Sequence, residues 1–254
     1  MLKQKMRDRE RMFAGWISYA HPSITETIAR AGFDMMFIDM EHSTISIDQG
    51  QRIIAASQFE GVPCIPRPVS HSNDYLKPLL ESGADGVLVQ MVETPDEVRA
   101  LINDVKYPPV GRRTYGVNRA QAYGFDFDEY IHNWNSTSTF MLQVESAKGV
   151  ENIESLLAFE EVDGVMIGPL DIAGSLGVPG KTTHPLVIEA SRKVIEACER
   201  RGVSCGTQVA DANPTTVQAL FDLGYNYAIL GSDLFVLWKW AAQMQEMMES
   251  MRGN

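Results

Sequence analysis

The chain reads as a single-domain parallel α/β barrel, a (β/α)8 or TIM barrel, and three observations predict it. Eight short β-type runs alternate with eight helical patterns without a break in the order. Most runs are rich in Val, Ile and Met without strict alternation, as strands covered on both faces are. Several helical patterns end in a glycine turn that leads straight into the next run (AGFD, EGVP, SGADG, RGVS, LGYN), the C-cap chemistry of a short helix-to-strand connection. A doubly wound open sheet is the alternative for the same alternation, but no GxGxxG follows the first run to support it.

Taken in order, the first run is FAGWISY (13–19), followed by a helix at 23–31. DMMFID (34–39) then precedes a helix at 46–60, VPCIPR (62–67) a helix at 74–82, and GVLVQM (86–91) a helix at 95–104. The one long irregular stretch, 107–125, comes next and leads to DFDEYIHNW, which can be helical. Loops of that length on a barrel are usually functional. TFMLQVE (139–145) precedes a helix at 149–160, DGVMIG (163–168) a helix at 185–200, VSCGTQV (203–209) a helix at 214–223, and NYAILG (226–231) the last helix at 233–251.

A length of 254 residues without a Pro/Gly/Ser-rich linker favours one domain, and 44% hydrophobic residues supply a large core. No apolar run approaches the roughly 20 residues that span a bilayer. The opening MLKQKMRDRERM is charged throughout and lacks the apolar region of a secretory signal, so a reducing, cytoplasmic setting is expected. Cys64, Cys198 and Cys205 follow no metal or redox spacing. A net charge of -11 argues against nucleic acid and membrane surfaces as partners. A small anionic substrate would need local positive charge, and Arg67 is one source.

In a parallel barrel the C-terminal strand ends share one face, where chemistry is done. The runs deliver Asp39, Glu41, His42, Arg67, Glu145 and Asp171 to that face. Glu145 and Asp171 follow neighbouring strands, and two hard oxygen ligands with open positions suit Mg2+ or Mn2+. Each could instead cap a helix or pair with an arginine. A paired-carboxylate glycosidase would not call for an Arg and a His beside them. Arg67 stands between Pro66 and Pro68, and its planar fork suits a carboxylate or a developing enolate oxygen; the structural alternative is an ion pair with Asp39 or Glu41. His42 has carboxylates nearby that can orient an imidazole and raise its basicity. The Gly168–Pro169 turn, running through Leu170 to Asp171, can turn free amides outward.

IDMEH, PRP, the GADGVLVQMV run, YPPVGRR, LQVES and IGPLDIAGSLG occur in this order within residues 13 to 240. This set resembles the HpcH/HpaI aldolase family: class II, metal-dependent pyruvate aldolases on a (β/α)8 barrel, of the 4-hydroxy-2-oxoheptanedioate aldolase type. The resemblance implies a lyase acting on pyruvate or a related 2-oxo acid with an aldehyde acceptor. It implies that Glu145 and Asp171 bind a divalent metal, that Arg67 stabilises the enolate, and that His42 is the base or positions a catalytic water. Asp39 and Glu81 join the catalytic set, Glu81 matching an acidic residue that reaches the histidine of a neighbouring subunit. Trp16, Gln143 and the Gly168–Asp171 segment match pyruvate-contacting positions. Members assemble as hexamers, trimers of dimers, with an exchanged C-terminal helix.

The chain departs from the family pattern at Gln90, Ser43-Thr44 and Gln208, the last close to where pyruvate's methyl should lie. These polar changes keep a second reading in play, a citrate-synthase-like or oxaloacetate-using condensing enzyme on the same barrel. In the last helix, Leu234, Leu237, Trp238, Ala241, Met244, Met248 and Met251 form one 3/4-spaced stripe, enough to cover a barrel, while Trp240 and Met247 fall off it. Apolar residues on a second face imply a neighbouring subunit, so the C-terminal helix (233–252) is expected to pack on, or to be exchanged with, that subunit; the alternative is that it packs on its own barrel.

Overall fold

Each run expected to be a strand forms one, in the expected order. The computed structural model describes residues 1–253. A short helix α1 (Leu2–Arg7) precedes β1 (Met12–Ile17), α2 (Pro22–Ala29), β2 (Met35–Asp39), α3 (Ile47–Phe59), β3 (Cys64–Arg67), α4 (Asn73–Glu81), β4 (Gly86–Val89) and α5 (Pro95–Val105). Then come α6 (Phe127–Thr137), β5 (Thr139–Val144), α7 (Ala147–Glu151), α8 (Ile153–Leu156), β6 (Gly164–Ile167) and α9 (Pro169–Ser175). The chain ends with α10 (Pro185–Arg201), β7 (Ser204–Val209), α11 (Pro214–Asp222), β8 (Tyr227–Leu230) and α12 (Asp233–Arg252). Local chemistry starts these helices: Ser46 with Gln49, and Thr94 with Glu97, form reciprocal capping boxes on α3 and α5. Proline opens α2, α5, α9, α10 and α11, where its missing N–H costs nothing.

All strand pairs are parallel, in the order β3-β2-β1-β8-β7-β6-β5-β4. The remaining seam, between β3 and β4, is nearly closed by Asp85. Its N–H donates to the Cys64 carbonyl at 2.9 Å, and its carboxylate accepts from the Cys64 N–H at 2.8 Å. Inside the barrel, Met12, Ala14, Met35, Phe37, Ile65, Leu88, Met141, Met166, Tyr227 and Ile229 form one buried cluster. Alternate residues of the same strands point outward under the helices, which is why the runs read as continuously apolar.

One interior contact is tight enough to test. A Cβ added at Gly206 would lie 2.3 Å from the Tyr227 ring, and that ring is fully buried, its hydroxyl donating to the Val165 carbonyl at 2.8 Å. Gly206→Ala is therefore expected to lower unfolding free energy by about 1–3 kcal/mol, read from urea denaturation. An unchanged midpoint would mean that the ring has room to move.

Three regions differ from the sequence reading. The charged opening forms α1, whose Leu2 and Met6 join the barrel interior and close its lower end. Its Lys3 is buried, bonding the Ser138 carbonyl at 2.9 Å and Asp163 at 2.7 Å. Two apolar residues in six are too few for a periodic signal, and burying a lysine is invisible without its partners. The helix expected at 149–160 is broken at Asn152 into α7 and α8, and α9 starts where only a turn was expected. The 107–125 loop leaves the C-terminus of α5 and leads through α6 to the start of β5, which puts it on the face opposite the strand C-termini. There the Arg113 guanidinium lies over Trp134 at 4.6 Å and Tyr107 at 4.7 Å.

The last element is α12. Its stripe does not cover its own barrel: the helix buries only Asp233, while Leu237, Trp238, Trp240, Met247, Met248 and Met251 are all exposed. Phe13, at the outer face of β1, is 39% exposed, and a groove of about 530 Å³ runs past Arg11, Phe13, Val217, Phe221 and Leu230. Amphipathic periodicity shows that a helix has a partner; it does not say which chain supplies the partner.

Candidate active site

The strand ends bring together most of the residues expected at the mouth. Arg67 closes β3 with only 5% of its surface exposed. Its Nη2 donates to Asp39 Oδ1 at 2.7 Å and its Nη1 to Gln143 Oε1 at 3.2 Å, with Glu41 Oε2 2.9 Å away as an ion pair. The guanidinium sits 4.8 Å from the Trp16 ring centroid. Both carboxylates of the structural alternative are thus paired with Arg67, and its fork is held rigidly at the same time. Its Nε is buried without a partner.

Asp39 also shapes the turn beyond β2. The same Oδ1 accepts from the N–H of Glu41 at 3.2 Å and of His42 at 3.0 Å, and the Ser43 hydroxyl donates to the Asp39 carbonyl. His42 is carried to the rim, its side chain 69% exposed. The nearest carboxylate oxygen is Glu41 Oε2 at 3.8 Å, beyond hydrogen-bond reach, so within the chain the imidazole is free to turn toward a ligand.

Glu145 lies deeper, 4% exposed. Its Oε1 accepts from the Met91 N–H at 2.8 Å and its Oε2 from the Gln143 amide. Gly168 makes this possible: a Cβ there would stand 2.8 Å from Glu145 Cβ and 3.0 Å from its Oε2, so only glycine lets the β6 turn pass. Burial first, then the charges of Glu41 and Asp171, push the Glu145 carboxyl up to about 7. Burial, the largest cause, also raises Glu41, and Asp39 and Asp171 add to it against the opposing pull of Arg67 and His42. Carboxylates that raise one another at a partly dry site form a place where added positive charge is favourable. Glu145 and Asp171 provide two hard oxygen donors there, which fits an open divalent-cation site completed by water and substrate. Among the described residues no group of three or more His, Cys, Asp or Glu side chains is placed to hold a metal, so such a site would rest on this pair.

The cleft in front of these groups measures about 510 Å³. It is lined by Trp16 and Ser18 at the end of β1, Asp39 and His42 at that of β2, Arg67 of β3, Gln143 of β5, Met166 to Asp171 at the end of β6 and beyond, Thr182 between α9 and α10, Thr207, Gln208 and Ala210 at the end of β7, and Ser232, Leu234 and Phe235 beyond β8. Gln208 spends its Nε2 on a long 3.4 Å bond to the Gly231 carbonyl. The sequence reading missed Ser18, Thr182, Thr207, Ser232, Leu234 and Phe235. Strand-end position was a usable signal for Ser18, Thr207 and Ser232; Leu234 and Phe235 had none, because their helix was assigned to covering the barrel.

Two expected residues lie elsewhere. Glu81 ends α4 on the face opposite His42, its oxygens accepting from Arg113 at 2.9 Å and Gln121 at 3.2 Å, so the two cannot meet within one chain. Gln90 is buried, its Oε1 has no partner, and it is not on the cleft wall.

The sequence pattern of the family described as HpcH/HpaI aldolase/citrate lyase matches residues 13–239. A hydroxypyruvate/pyruvate aldolase of Roseobacter denitrificans is 33% identical over 238 residues, 92% of this chain and 91% of that protein. A 2-keto-3-deoxy-L-rhamnonate aldolase of Salmonella dublin is 32% identical over 237 residues, covering 91% and 86%. The crystal structure of a family protein from Burkholderia cenocepacia matches with a TM-score of 0.90 at 30% identity over 98% of each chain. The barrel, the strand-end cluster and these likenesses agree: the chain belongs to the HpcH/HpaI aldolase/citrate lyase family.

Proposed function

We propose that the protein is a class II pyruvate aldolase, a lyase that cleaves or forms 4-hydroxy-2-oxo acids through a pyruvate enolate. The observation that carries this reading is the rigidly held Arg67 facing the same cleft as Asp171, with the Glu145 carboxylate buried behind it on the Gln143 amide, in a chain whose relatives are named aldolases. Mg2+ or Mn2+ held by Glu145 and Asp171 would act as a Lewis acid, drawing enolate charge onto oxygen. Arg67, pinned by Asp39 and Gln143, presents fixed N–H groups to that oxygen without reorganising. Trp16, Gln143 and the Gly168–Leu170 segment border the 2-oxo acid, and Gln208 faces it from β7. In the cleavage direction His42, through a water, takes the proton of the C4 hydroxyl. The C3–C4 bond then breaks, its electron pair passes to the enolate, and the aldehyde leaves; protonation of the enolate gives pyruvate.

Incubation with a panel of 4-hydroxy-2-oxo acids, with and without chelator, tests this. Pyruvate should appear only with metal present, and acetyl-CoA plus oxaloacetate should release no free CoA. Sustained CoA release instead would move the protein to the condensing reading.

No described helix is long and apolar enough to cross a membrane. A cytoplasmic setting is in keeping with three free, buried cysteines. The exposed α12 and the open groove beside Phe13 support exchange of this helix between subunits, within the hexamer that the family resemblance implies. In that assembly Glu81 serves the His42 of a neighbour. Truncation after Ser232 is expected to reduce the mass in light scattering to that of smaller species and to cut activity at least about tenfold. A truncated protein of native mass and full activity would show that α12 builds no interface.

A further inference from the structure

We infer that the acceptor aldehyde carries no charge, and that Gln208, Ser232 and Leu234 on the β7–β8 wall select it. This rests on the aldolase reading and names the acceptor class for the same cleft. With the 2-oxo acid held between Arg67, Gln143 and Asp171, the aldehyde carbon meets the enolate from the remaining space. Its tail then lies along the wall built by the turns after β7 and β8.

No cationic side chain lines that wall, and Lys239 of α12, which donates to the Ala210 carbonyl at 2.6 Å, is paired with Asp211 at 2.7 Å. Among the described residues lining the cleft, Arg67 is the only arginine or lysine, and its terminal nitrogens already face Asp39, Glu41 and Gln143. His42 stands beyond β2, two strands from β8 in the barrel order, where it is assigned to the hydroxyl proton. An acceptor with a second carboxylate would give up hydration for Gln208, Ser232, Leu234 and Phe235, all neutral. An unpaired charge is strongly disfavoured in such a place.

The same wall suits a short neutral aldehyde, above all one with a hydroxyl. The Gln208 side-chain oxygen makes no hydrogen bond within the chain while its nitrogen is tied to Gly231. The Ser232 oxygen accepts from the Phe235 N–H at 3.1 Å, which leaves its own hydrogen free to donate. One acceptor and one donor therefore stand beside the apolar Leu234, the combination that a hydroxyl on a short carbon chain fills.

Aldehydes matched in length and differing in charge test this on the intact protein with pyruvate and Mg2+. The pairs are glycolaldehyde with glyoxylate, and butanal with succinate semialdehyde. In each pair kcat/KM for the neutral member should be higher by at least about tenfold. Equal rates, or preference for the carboxylates, would overturn the inference and leave the aldolase reading standing. Pyruvate untouched with all four aldehydes would remove that reading and this inference with it. Leu234→Arg places a cation on the wall at a position 38% exposed, where the longer side chain has space. It should shift the butanal to succinate semialdehyde ratio toward the carboxylate by about tenfold. A ratio unchanged from that of the unaltered protein would overturn the placement of the acceptor on this wall.

Discussion

Asp171→Asn and Glu145→Gln are each expected to lower kcat/KM by on the order of 10³ or more while leaving the fold in place. Both changes remove a charge and keep the shape. Glu145 is the sharper case, because it is buried and already bonded: a glutamine there still offers a carbonyl to the Met91 N–H, and only the Gln143 amide loses its acceptor. Removal by alanine would instead leave the Met91 N–H and the Gln143 amide without partners, at a cost of about 1–3 kcal/mol that confuses stability with function. Calorimetric titration with Mn2+ should show affinity falling by about 10²-fold or more, and thermal unfolding without metal should stay near that of the unaltered protein. Excess chelator should reproduce the loss without any substitution. Full turnover in chelator, or in either variant, would end the metal-enolate reading.

Arg67→Lys is expected to cost on the order of 10² or more in kcat. Arg67 spreads one charge over two terminal nitrogens that reach Asp39 at the end of β2, Glu41 in the turn after it, and Gln143 on β5. A lysine keeps the charge as a single point and cannot hold all three partners while offering a donor to the enolate. The structural role is real too, since the ion pairs are buried, so some stability should be lost with the fork. The two roles separate by measurement: kcat is read well below the melting temperature of both proteins, beside the unfolding free energy of each. A lysine variant that is less stable and equally fast would make Arg67 a structural cation only. One that is slow at full occupancy of folded protein assigns it to the reaction.

Much of the barrel was legible because its signals are local. Apolar runs of strand length, helical patterns between them and glycine turns before strands are all read within a few residues. Strand-end position then follows from the fold, which placed Asp39, Arg67, Gln143, Glu145 and Asp171 at one face before any coordinates. The failures are non-local. Lys3 in α1 is stable in the interior only because the Ser138 carbonyl and Asp163 are there to receive it. His42 was expected to be oriented by a carboxylate, yet 3.8 Å separates it from Glu41 because Arg67 competes for the same oxygen.

The sequence by itself determined the alternation of elements, the parallel barrel and the side-chain types at its mouth, since periodicity, caps and turn residues act over distances of one to four positions. Tertiary structure alone decided three things. It tied the Arg67 fork to Gln143, 76 positions away, and it laid Gly168 against Glu145 so closely that no side chain fits between them. It also turned α12 away from its own barrel, so that Leu234 and Phe235 line the cleft while the rest of the helix waits for a partner. The physical reason is the same in each case. Hydrogen bonds and packing between distant segments depend on the closure of the whole barrel, and a pattern of apolar residues records that a face is covered without recording what covers it.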